Sequence, residues 1–127
     1  MPPLTVRAGL DGVQLVGSSA GPLQGDRLHV DVDVGAAATL RVGSVAAMLV
    51  QPGVVDEPSR LSMDVTVGTG ASLIWNPEPM VLVRGCDHEG SSRLQLATDC
   101  EVVWREELVL GRHREATGSV RQRLLVD

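Results

Sequence analysis

Apolar and polar residues alternate with a period of two through Leu28, Val30, Val32 and Val34, and again through Leu61, Met63, Val65 and Val67. Successive side chains of an extended strand point to opposite faces, so each run predicts a strand with one buried face. A Gly/Ala/Thr link follows each run, at 35–38 and at 68–71. Such links permit positive φ and lead into second strands that begin near Thr39 and Ser72. The predicted unit is strand, turn, strand.

The two units are copies of one another: residues 28–42 align without gaps on 61–75, a recurrence after 33 residues. A weaker third copy spans 92–104, where Leu94, Leu96, Val102 and Trp104 take the places of Val65, Val67, Leu73 and Trp75. One such hairpin cannot bury its apolar face alone. The copies are therefore expected to stack or face one another in an all-β fold, either a β-sandwich or a short β-solenoid. Pro52, Gly53 and Pro58 interrupt 51–59, and Pro77 and Pro79 interrupt 76–79. Proline offers no ladder donor, so these segments predict loops or edge crossings. Between 101 and 111 the alternation of Val102, Trp104, Glu106, Leu108 and Leu110 favours strand, although Arg105-Glu-Glu-Leu equally fits a helix start. The tail 119–127 has strand propensity and stops without a turn or cap, which raises the expectation of further sequence beyond it.

A chain of 127 residues suits one domain, taken here as 1–127. It has no Phe or Tyr, so Val, Leu, Ala, Ile and Met must build the core, with Trp75 and Trp104 as its only large rings. The formal net charge of −5 repels phosphate backbones and anionic head groups, which argues against nucleic-acid and membrane partners. No run approaches the roughly 18 apolar residues of a membrane span, and the first nine residues lack the features of a secretory signal. A cytoplasmic protein is expected, with Cys86 and Cys100 as reduced thiols.

Three elements, in order, resemble a known family. Residues 21–28, Gly-Pro-Leu-Gln-Gly-Asp-Arg-Leu, resemble the glycine-rich "GGxxGGD" element of the UreD (UreH) urease accessory proteins, with Pro22 and Gln24 replacing glycines. Residues 75–80, Trp-Asn-Pro-Glu-Pro-Met, are similar to the family's "W-x-P-x-P" element. Residues 105–112, Arg-Glu-Glu-Leu-Val-Leu-Gly-Arg, are similar to its acidic, apolar stretch ending in Gly-Arg, while 42–48 match its Thr/Gln/Ala-rich run only loosely. Family members are usually about twice as long, so the likeness covers a central part of their fold. The resemblance implies a β-rich, non-catalytic scaffold that binds UreF, assembles with the GTPase UreG and docks on the urease apoprotein. Nickel(II) would pass in transit to the buried urease site, with no tightly bound cofactor.

Nickel(II) accepts imidazole, carboxylate, carbonyl, water and thiolate, and a conduit needs such groups along a path without tight closure. Asp26 follows Gly25 at a strand start, where its carboxylate either caps turn amides, the reading the sequence alone favours, or faces such a path, which the resemblance raises to an equal footing. One of Glu106 and Glu107 must point inward if 101–111 is a strand, and an unpartnered buried carboxylate costs several kcal/mol. Ser44 offers a neutral oxygen to the same route, or is a satisfied core hydroxyl. Cys86-Asp87-His88-Glu89 is the densest ligand cluster, yet strand alternation sends its members to opposite faces unless a turn gathers them. His29 and His113 read as solvated or partner-facing single histidines. No nucleophile elbow, phosphate loop, His-Glu-x-x-His or Cys-x-x-Cys is present, so an enzyme is not expected. The rival readings are a stand-alone β-solenoid binding module unrelated to nickel, and a small metal-dependent hydrolase using residues 86–89.

Overall fold

A computed structural model describes residues 4–9, 12–17, 22–44 and 47–127. Gly21 of the glycine-rich element, and Val45 and Ala46 of the 42–48 run, lie outside them. Every regular element among the described residues is a strand. An N-terminal pair, β1 (Leu4–Gly9) and β2 (Gly12–Gly17), is antiparallel. Then three coils follow. The first contains β3 (Arg27–Val34), β4 (Thr39–Ser44) and β5 (Met48–Val50). The second contains β6 (Ser59–Val67), β7 (Ser72–Trp75) and β8 (Met80–Leu82). The third contains β9 (Asp87–Leu96), β10 (Glu101–Trp104) and β11 (Leu108–Leu110), and β12 (Ser119–Val126) opens a further coil.

Equivalent strands of successive coils pair in parallel and form three sheets, in the orders β3-β6-β9-β12, β1-β2-β4-β7-β10 and β5-β8-β11. This is a short β-solenoid of about three turns. The ladder register reproduces the sequence echo. Leu28 lies opposite Leu61, Val34 opposite Val67, Leu40 opposite Leu73 and Val42 opposite Trp75. In the third coil Leu94 lies opposite Val65, and Trp104 opposite Trp75. Each repeat places like residues on the same rung, so one inward-facing pattern builds a continuous core.

Two expectations need correction. The strands of one unit do not pair as a hairpin, because the links at 35–38 and 68–71 turn corners between sheets and each strand finds its partner one coil away. Each coil also has a third, three-residue strand that is too short to show a period of its own. The ambiguous 101–111 segment is strand at both ends, with a corner at 105–107. The 76–79 segment is a loop, and in 51–59 the loop ends at Pro58, where Ser59 opens β6.

The main core gathers Val34, Val65, Val67, Leu73, Trp75 and Leu94 with their neighbours. The two indole rings stack face to face at 4.6 Å between centroids, within the preferred range for offset aromatic pairs. A smaller cluster of Val50, Leu82 and Cys86 fills the far corner.

Candidate functional site

Asp26 stands where the chain turns into β3. Gly25 takes φ of 88°, which an L side chain rarely adopts, so the 23–26 turn closes with Asp26 N–H donating to Leu23 O at 2.9 Å. The Asp26 carboxylate in turn accepts the Leu23 N–H at 2.9 Å. In this structure the carboxylate therefore caps the turn. Its backbone carbonyl accepts Arg60 N–H at 2.8 Å, which sets Asp26 on the rung beside Ser59.

That rung is polar where the core is otherwise apolar. Ser59 lies opposite His88, and both are buried, with His88 only 1% exposed. Ser59 Oγ donates to Asp87 O at 3.3 Å and stands 2.7 Å from His88 Nδ1. Ser59 Oγ and His88 Nδ1 share one hydrogen bond, whose direction follows the tautomer of the neutral imidazole. Burial, opposed only in part by the charges of Asp87 and Glu89, lowers the His88 pKa from 6.5 and favours this neutral form. Nε2 and Trp104 Nε1 are buried and find no hydrogen-bond partner among the described residues.

Further along β9, the buried Ser92 donates a long hydrogen bond, 3.4 Å, to Glu106 Oε1. Gln122 Nε2 donates to the other oxygen at 3.0 Å. Gly90, opposite Gln122, makes this possible, since a Cβ there would collide with the Gln122 amide. Glu106 is thus the glutamate that joins the inward-facing polar residues. Glu107 instead pairs with Arg105, and its carbonyl accepts Met80 N–H at 2.9 Å. Ser44 Oγ accepts the Glu78 N–H at 2.7 Å and so fixes the loop ahead of β8. No side-chain hydrogen bond joins Asp26, Ser44, Glu106 and Glu107 to one another among the described residues.

Residues 86–89 do not converge on a metal. Cys86 and His88 are buried, while Asp87 and Glu89 face outward, as alternation along β9 requires. Burial first, then the charge of Asp87, pushes the Cys86 thiol above its ordinary value, so it stays protonated and unreactive. Ser59, Ser92 and Gln122 lie in no recognisable sequence motif, and His88 stands out along the chain only within the 86–89 cluster. A usable signal existed for Ser92, which stands at an inward position of β9 where β3 and β6 have Val30 and Met63.

The model of the family described as UreD urease accessory protein matches residues 3–127. The chain is 46% identical to the urease accessory protein UreD of Frankia casuarinae over 91% of its own length and 36% of the relative's. It is 42% identical to the protein of that name in a Parafrankia species, over 100% of this chain and 44% of the relative. Urease accessory protein UreD 3 of Streptomyces griseus is also 42% identical, over 90% of this chain and 45% of the relative. The chain therefore spans less than half the length of these relatives.

Proposed function

This chain belongs to the UreD urease accessory protein family, and on that premise we propose that it is a non-catalytic, cytoplasmic scaffold for urease maturation. In this reading it works with UreF and UreG, and its interior gives nickel(II) a polar route to the urease apoprotein. Asp26, Ser44, Glu106 and Glu107 are the proposed route residues. The observation that carries the reading is the buried polar set of Ser59, His88 and Ser92, with the half-buried Glu106 joining Ser92 to the exposed Gln122.

Ser59, His88 and Ser92 are buried, and buried polar groups are costly unless satisfied, a cost that apolar side chains on the same rungs would not carry. Imidazole nitrogen, hydroxyl and carboxylate are ligand types that nickel(II) accepts. Spread along β6, β9 and the third-coil corner, they hold an ion weakly at each point, which suits passage. The Ser59–His88 pair is buried, which supports the non-catalytic reading because a nucleophile must meet its substrate.

The test measures urease activation and complex assembly side by side. Asp26→Ala and Glu106→Ala are expected to lower activation while UreF and UreG are still pulled down at normal yield. If Asp26 acts only through its turn, its replacement costs about 0.5–2 kcal/mol, by analogy with helix caps, and activation follows the amount of folded protein. Full activation by the double variant at normal complex yield would remove these two residues from the route, leaving Glu107→Ala as the remaining variant to test.

A further inference from the structure

We propose that the outer face of the β3–β6 pair carries a site for a divalent first-row transition-metal ion, formed by His29 Nε2 and one carboxylate oxygen each from Asp31 and Asp64. Strand alternation turns His29 and Asp31 out of the same face, and the parallel register sets Ser62 opposite His29 and Asp64 opposite Asp31. The three ligand atoms lie within 4.8 Å of one another. Nε2 is 2.9 Å from Asp31 Oδ1 and 3.5 Å from Asp64 Oδ2.

Two further observations point to a cation here. Like charges directly opposite on neighbouring strands oppose pairing, and Asp31 faces Asp64 in this way. The nearby arginines do not relieve the repulsion: Arg93, opposite Asp64, bonds Asp127 at 3.3 Å, and Arg60 bonds Glu89 at 3.1 Å. The imidazole is also held from behind, since Ser62 Oγ lies 2.8 Å from Nδ1. A ring that donates Nδ1–H to an outer partner presents Nε2 in a fixed direction, the arrangement typical of metal-binding histidine.

The ion would be held by the Nε2 lone pair of the neutral ring, with Nδ1–H kept toward Ser62, and by two carboxylate oxygens, with water in the open positions. Imidazole with carboxylate favours nickel, zinc or copper over magnesium or calcium. The site uses no residue of the interior route and stands or falls independently of it.

The probe is Ni²⁺ titrated into the whole chain by calorimetry, with a chromophoric chelator as competitor. One ion per chain is expected, with affinity reduced roughly tenfold or more in His29→Ala and in Asp64→Asn, and about tenfold in Ser62→Ala through loss of the positioning contact. His113→Ala, an exposed histidine outside both proposed sites, should leave this binding unchanged. Because the ligands are exposed, circular dichroism should report native folding for each variant. Substoichiometric Ni²⁺ should broaden the ring signals of His29 before those of His113. Binding equally tight in His29→Ala and Asp64→Asn, or no binding up to roughly 1 mM, would overturn the proposal.

Discussion

His88 shows how one buried side chain couples this fold to pH. Its folded-state pKa is lowered by burial, so the unfolded chain binds a proton more readily below the ordinary value of 6.5. The contribution is complete above that value and is lost as pH falls toward the folded-state pKa. Thermal midpoints followed by circular dichroism should therefore fall between about pH 7 and 5, and His88→Asn, which keeps a donor toward Ser59, should flatten that slope. An unchanged slope would show that other groups set it. Glu115 titrates in a separate window. Hydrogen bonds from the Arg112 side chain, then from the Arg84 and Arg112 amides, hold it at about 2, so its contribution is present above 4.5 and lost only below it. Glu115→Gln should change the midpoint near pH 3 differently from its effect at neutral pH, without altering the His88 window.

At the scale of the strand, rung position decides what a side chain is worth. Leu94 and Val126 share an inward column with Val65, since Val65 lies opposite Leu94 and Leu94 opposite Val126. Leu94 is 2% exposed because coils lie on both sides of it, whereas Val126 is 57% exposed on the outermost strand. Leu94→Ala should cost about 2–5 kcal/mol in urea unfolding, and Val126→Ala about 0.5 kcal/mol or less. Comparable costs would mean that β12 is covered in solution.

At the scale of the whole molecule, each sheet of the described residues ends on a strand with an unpaired edge. β10, β11 and β12 are edge strands, and Val103, Leu110, Leu124, Leu125 and Val126 are exposed along them. The chain spans less than half of the relatives it matches, and those surfaces are adhesive by themselves. Light scattering on the isolated chain should report self-association that grows with concentration and falls when Leu124 and Leu125 are both replaced by Lys. A stable monomer at high concentration would count against the scaffold reading.

The sequence by itself determined the strands and their repeat. A strand has period two and a solenoid has period one coil, so Leu28, Leu61 and their successors announced both the buried face and the register that the ladders follow. Three glimpses of family motif along the chain agreed with the family match. Only the tertiary structure decided which strands pair, because a link such as 35–38 looks the same whether it closes a hairpin or turns a corner, and the choice depends on partners a coil away. It alone turned Asp26 onto the Leu23 amide, separated Glu106 from Glu107, and joined Ser59 to His88 across 29 residues. Those outcomes rest on contacts between coils, and neighbouring residues carry no trace of them because parallel stacking brings together side chains that are remote along the chain.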